Sequence, residues 1–352
     1  MKKTFFLLLL TSCLSSLAQN KKEAENLVDE GIIYHDKGDY SGAINKYDLA
    51  LELDKNNSFA LTEKANTLNS LEKYDDAIAV CKQIIKIHPE EDNKTVYVTY
   101  GNALDHLKKI DESLKIYSDG IKLYPNYYHL HFNKGITYSG IRRYGDAIIC
   151  FQKSLSLNPK HAGSLNAIGI MEMYNNRIPS ILAFSRFLII EPQTSRSKKN
   201  LEYLQKIIMQ GVTETGKKSV SISIDSNILN DSTDTDKKKE NDFSTIDLIL
   251  SMEASQDFDK KNKNKTEVEK FIRKFETICS SLQENKNDGF GFYWETIVPY
   301  FLEMKNRNLI ETFAYIAFSS TESEDLLKWK EKNQVQIDRF YDWSKNYKWK
   351  EN

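Results

Sequence analysis

At 352 residues the chain is longer than one ordinary domain, which sets an expectation of two modules. Hydrophobic residues make up 40% and charged residues 28%, the balance of a chain with a real core rather than of a disordered one. A formal charge of −1 supplies no basic excess for phosphate contacts, which argues against a nucleic-acid binder.

Residues 1–18 read as a secretory signal peptide. Lys2 and Lys3 form a positive start, Phe5 to Leu10 a short apolar run, and Ser16-Leu17-Ala18 a small-x-small cleavage site before Gln19. The run is too short for a membrane span. A second reading stays open: Leu10-Thr11-Ser12-Cys13 resembles a lipobox, and a lipid anchor requires that Cys13 be retained. The expected location is periplasmic or secreted, or, on the second reading, the outer membrane as a lipoprotein. Cleavage after Ala18 leaves Cys81, Cys150 and Cys279. An odd number without close pairing is no disulfide framework, so these read as small buried hydrophobes.

From residue 24 onward the chain repeats itself. Gly31, Ala65, Gly101, Gly135 and Gly169 recur at spacings of 34, 36, 34 and 34. Ala43, Ala77, Ser113 and Ala147 follow twelve residues behind, and Pro89, Pro125, Pro159 and Pro192 close successive units. Such a beat predicts stacked helix pairs, which usually form binding surfaces. In the unit 128–161, helix A is expected over 128–141 and helix B over 146–157, with the turn at Arg142 to Gly145. Asn158-Pro159 stops helix B. The small residues Gly135 and Ala147 let the two backbones approach. Tyr144 and Phe151 are expected to fill the space between neighbouring pairs.

This pattern resembles the tetratricopeptide repeat. Repeat one, 24–57, carries Gly31, Tyr34, Tyr40, Ala43, Tyr47 and Ala50, with Lys55 in place of the proline. Repeat two, 58–91, carries Ala65, Leu68, Tyr74, Ala77 and Pro89. Repeat three, 94–127, follows a two-residue insertion, and repeat four is 128–161. Repeat five, 162–194, is one residue short: Ser180 stands for the alanine and Pro179 opens helix B, a place that suits proline. Residues 195–209 supply a capping helix through Leu201, Leu204, Ile207 and Ile208. The resemblance implies an all-α fold: a right-handed superhelix over 19–210 with a concave groove lined by the A helices.

By the same resemblance, the groove positions hold Val28, Asp29, Ile32 and His35, then Thr62, Asn66 and Asn69, then Val98, Asn102 and Asp105, then Phe132, Asn133 and Ile136, then Asn166 and Ile170. The candidate protein- or peptide-binding residues are Asn66, Asn69, Asn102, Asp105, Phe132, Asn133 and Asn166. An asparagine amide donates and accepts toward one peptide unit, so a row of them suits an extended peptide. Solvated polar residues on an exposed helix face are the other reading. The lysines that grip a chaperone's terminal carboxylate in some relatives are missing, because the equivalent places hold Val28, Thr62, Val98, Phe132 and Asn166.

Residues 211–241 form a polar tract, read as a flexible linker. Val220, Ile222 and Ile224 alternate like a strand, but an isolated strand has no partner. Residues 242–352 return to helical stripes, including Val268, Phe271, Phe275 and Leu282, then Trp294, Ile297 and Phe301, then Leu309 and Phe313, then Ile337 and Phe340. This predicts a bundle of four or five helices holding all four tryptophans, with Trp349 the exposed one. The module resembles C-terminal regions of secreted repeat proteins of Bacteroidetes-like bacteria, which carry no known activity. No metal-ligand spacing, nucleophile elbow, P-loop or dinucleotide fingerprint occurs, so neither an enzyme nor a cofactor is expected. The sequence therefore points to an exported interaction scaffold with a protein or peptide partner. A structural subunit of a cell-envelope assembly is the alternative.

Overall fold

The computed structural model describes residues 2–216, 219–223 and 239–350, with side chains from Gln19 onward. The side chains of the signal-peptide reading, including Cys13, lie outside the described residues, as do Ile224 and the middle of the polar tract, 224–238. Two compact units divide at 150/151, inside the fourth repeat.

The first unit is a stack of helix pairs. Its A helices are α1 (Lys2–Asp36), α3 (Ser58–Ser70), α5 (Lys94–His106) and α7 (Tyr128–Gly140). Its B helices are α2 (Tyr40–Leu53), α4 (Tyr74–Ile87) and α6 (Ile110–Leu123), followed by the first turns of α8 (Tyr144–Leu157). α1, α3 and α5 each pack on the B helix that follows and on the next A helix. All four A helices end in the same Schellman motif. In α5, the Lys108 N–H donates to Asp105 O and the Lys109 N–H to Leu104 O, both at 2.9 Å. The residue that reverses the chain is left-handed each time: Gly38 (φ 80°), Glu72 (60°), Lys108 (62°) and Arg142 (63°). Only the first is glycine, so the other three hold a conformation their Cβ disfavours.

Size matching sets the spacing within each pair. A Cβ on Gly31 would overlap the Tyr47 ring, and one on Gly101 the Tyr117 ring. In repeat two the ring is replaced by Cys81, and the opposing small residue is Ala65 rather than glycine; both are buried in one apolar cluster. The two-residue insertion before repeat three is fastened rather than loose. Asn93 is buried, its side-chain amide donates to His88 O at 2.6 Å, and its backbone N–H donates to the Tyr124 hydroxyl at 2.9 Å. Tyr144, expected to fill space between pairs, is 48% exposed. α8 begins at Tyr144 itself, two residues earlier than expected.

The second unit begins with the rest of α8, then α9 (Ala162–Glu172), α10 (Arg177–Ile190) and α11 (Ser197–Ile208). The same unit contains α12 (Ser244–Ser255), α13 (Glu267–Asn285), α14 (Val298–Asn306), α15 (Ile310–Ala317), α16 (Glu324–Lys332) and α17 (Gln334–Asn346). The C-terminal helices therefore number six rather than four or five, because Ile246, Leu250 and Ala254 give α12 a buried face. The glycine–ring pairing continues here: a Cβ on Gly169 would lie 2.7 Å from the Phe184 ring.

Helix α10 organises this unit. Its sequence is largely apolar, and each residue from Arg177 to Ile189 is buried, its two arginines and two serines included. It packs on α9, α11, α12 and α15. The fifth repeat is therefore covered by α11 and by the C-terminal helices together. Polar anchors fix the contacts. Arg177 donates to Ile207 O (2.9 Å) and Ile208 O (2.6 Å), so it caps the end of α11, and it reaches Asp247 on α12 at 2.6 Å. The Tyr293 hydroxyl donates to buried Glu172 at 2.7 Å. The turn Tyr293–Ile297 is a π-helix that runs into α14, where Pro299 has no N–H to continue the ordinary ladder. The α14–α15 turn repeats the Schellman geometry of the first unit, with Asn308 at φ 56°.

Two expectations are corrected in this unit. The strand in the polar tract is not isolated: β1 (Val212–Gly216) pairs antiparallel with β2 (Ser219–Ile222), with Val212 opposite Ile222. The partner is the stretch just before it in the chain, which the alternation at Val220 did not reveal. Trp349 is not exposed. It is half-buried, stacked on Tyr300 at 5.4 Å and beside Tyr347 at 4.8 Å. The pull comes from Arg186, a fully buried guanidinium that lies 4.2 Å from the Tyr300 ring centre and 5.2 Å from that of Trp349.

Candidate functional site

The A helices of the first unit carry six of the seven candidate residues. Asn66 and Asn69 lie on α3, Asn102 and Asp105 on α5, and Phe132 and Asn133 on α7. Asn166 lies on α9, in the second unit. All seven are half-buried. Val28, expected in the groove, belongs instead to the core with Ala43 and Tyr47, because repeat one turns this aliphatic side chain toward its own B helix.

The asparagines are partly committed to the fold. Thr99 Oγ1 donates to Asn66 Oδ1, tying α5 to α3. One repeat earlier, His35 Nδ1 and Thr67 Oγ1 meet at 2.8 Å, tying α3 to α1. The Tyr117 hydroxyl donates to Asn102 Oδ1 at 2.6 Å. Asn133 Nδ2 donates to His129 O in its own helix at 2.8 Å. Thr62 is likewise turned back, onto Ser58 O at 2.8 Å. These bonds use one side of the Asn102 and Asn133 amides and leave the other side for a ligand, whereas Asn66 is engaged by both Thr99 and Glu63. The inter-helix ladder through Thr67 and Thr99 escapes a reading by spacing, since each threonine lies one position beside the expected lining set.

Lysines one helical step from this face turn away from it. Lys64 donates to Asp48 on α2 at 2.5 Å and Lys134 to Ser118 on α6 at 3.0 Å. Burial pushes the Cys81 thiol up to about 12 and the Cys150 thiol up to about 11. Burial likewise lowers the affinity of His129 for its proton. Among the described residues, no helix is long and apolar enough to cross a membrane.

A tetratricopeptide-repeat family model matches residues 95–127 and 128–161, and a second model of the same repeat matches residues 31–59. These segments are tetratricopeptide repeats. The stretches 95–127 and 128–161 each span one helix pair described above, and the unmatched repeat 58–91 shares their turn and packing. Among solved structures, a tetratricopeptide-repeat protein of Thermus thermophilus is 17% identical, covering 51% of this chain and 98% of its own, with a TM-score of 0.46. PilW, a type IV pilus biogenesis factor, is 20% identical over 52% of this chain and 84% of its own, with a TM-score of 0.45. YrrB, described as a tetratricopeptide-repeat protein with an unusual peptide-binding site, is 20% identical over 51% of this chain and 92% of its own, with a TM-score of 0.36. No curated protein matches the chain.

Proposed function

We propose that this chain is an exported protein-interaction scaffold, and that the A-helix face of its first unit takes an extended peptide. The observation that carries the reading is the face itself. Asn66 and Asn102 hold the same place on α3 and α5, and Asn133 lies about one turn earlier on the same face of α7; all three are half-buried and bonded inside the fold. What remains is a line of amide groups along three successive A helices, the chemistry that reads a peptide main chain. The pattern of residues 1–18 supports export, with Gln19 or a lipidated Cys13 as the mature start.

The test is an in-cell crosslinking pull-down with the mature protein beside two variants. Asn69→Ala with Asn133→Ala removes groove amides that hold no other helix. Asn66→Ala with Asn102→Ala also removes the bonds from Thr99 and Tyr117, so its melting temperature is measured alongside. Loss of a discrete partner in both variants, with the fold retained, supports the reading. Retention of the same partners in both overturns it.

A further inference from the structure

We infer that the segment bound on this face is basic. The inference rests on the groove reading above and names the chemistry of its ligand.

The charge on the face is one-sided. Glu25, Asp29 and Asp36 project from α1, Glu63 from α3 and Asp105 from α5. None of these five forms an ion pair with a lysine or arginine among the described residues. Within the repeats, from residue 24 onward, no lysine or arginine occupies the same helical positions on α1, α3, α5 or α7. The distribution is not a shortage of lysine in the repeats. Lys46 pairs with Glu30 at 2.6 Å and Lys64 with Asp48 at 2.5 Å, so charges one step round the helix are neutralised inside the repeat stack. On the ligand-facing side, by contrast, the five carboxyls have no lysine or arginine partner among the described residues.

The surroundings sharpen this. Burial pushes the Glu63 carboxyl up, against the opposing effects of His35 and Asn66, and the charge of Asp36 adds to the rise. A carboxyl in that position gains from an incoming cation that takes the place of lost water. The Tyr47 hydroxyl points the same way. It is buried near Thr67, Glu63 and Asp36 and makes no hydrogen bond of good geometry. Beside the acids lie apolar surfaces, Phe59 on α3 (49% exposed) and, one repeat past Asp105, Ile136 on α7 (43% exposed), suited to the methylene stems of lysine and arginine. An acidic peptide on this face would meet like charge at every repeat from α1 to α5, which discriminates against it.

The experiment uses the full chain, immobilised and panned with a random peptide library that contains all charges, then repeated on two variants. One neutralises the face: Glu25→Gln, Asp29→Asn, Asp36→Asn, Glu63→Gln and Asp105→Asn. The other is Asn69→Ala with Asn133→Ala. The expected result is enrichment of lysine- and arginine-bearing peptides, with affinities that fall about tenfold or more in the neutralised variant and weaken as salt rises. Enriched peptides that are neutral or acidic, yet lost in the asparagine variant, leave the groove reading standing and overturn this inference. No enrichment, or enrichment indifferent to both variants, overturns the groove reading and this inference with it. Circular dichroism of each variant confirms that the helices persist.

Discussion

The Tyr117 hydroxyl donates to the Asn102 side chain at 2.6 Å, while the ring of the same tyrosine covers Gly101. One B-helix side chain thus fixes both the closest approach of the pair and the orientation of a candidate groove amide. Packing and recognition are coupled at this repeat. Burial pushes the Tyr117 phenol well above its ordinary range, so the hydroxyl stays a donor at any working pH.

The first prediction concerns this size matching. Gly101→Ala places a methyl into the Tyr117 ring and is expected to cost about 1–3 kcal/mol. Cys81→Tyr is expected to cost a similar amount because Ala65 opposes it, and Ala65→Gly should recover part of that loss. A double-mutant cycle by urea unfolding reads the coupling, expected at roughly 0.5–3 kcal/mol. Strict additivity would show that the two positions do not face each other.

The second concerns the turns. Lys108→Gly relieves a left-handed residue with a Cβ and should stabilise the chain by about 1 kcal/mol. Gly38→Ala, at the same place in repeat one, should destabilise it by about as much. Thermal melting of the two variants, moving in opposite directions, checks the shared Schellman geometry.

The third contrasts two buried arginines. Arg177→Met leaves Ile207 O and Ile208 O without their donor and Asp247 without its partner, and should cost about 3–5 kcal/mol. Arg186 has a hydroxyl partner in Ser344 and two ring faces, with no carboxylate bonded to it. Its burial is costly in itself, so Arg186→Met should cost less, about 1–2 kcal/mol. Equal losses in chemical denaturation would contradict this division.

The fourth concerns thiols and pH. Cys81 and Cys279 are fully buried and burial raises both thiols, Cys81 to about 12. Neither should react with a disulfide reagent at pH 8 in the native protein, and half-buried Cys150, raised to about 11, should react slowly. Unfolding should release all three. Because the folded pKa values lie above the unfolded ones, the stability tied to neutral thiols is complete below about pH 8.5 and is lost as pH rises toward 12. Urea midpoints that rise with pH above 9 would contradict the sign.

The repeat beat made the fold of the first unit legible before any coordinates. Gly31, Gly101 and Gly169 marked where a ring must fit, and the prolines marked where each pair ends. The same periodicity placed Asn66, Asn102 and Asn133 on corresponding faces. It did not show that Thr99 and Tyr117 engage two of them, because a contact between helices 15 or 33 residues apart depends on how the helices stack.

The sequence by itself determined the local events: which segments are helical, where small residues admit close approach, and where each pair stops. These depend on neighbours three, four or seven positions away, which periodicity records. Tertiary structure decided the rest. It buried α10 on all sides, so that α11 and the C-terminal helices together cover the fifth repeat. It drew Trp349 onto Tyr300 above a buried Arg186, and it gave the strand at Val220 a partner. Each of these rests on burying apolar surface between segments far apart in the chain, for which one-dimensional spacing carries no signal.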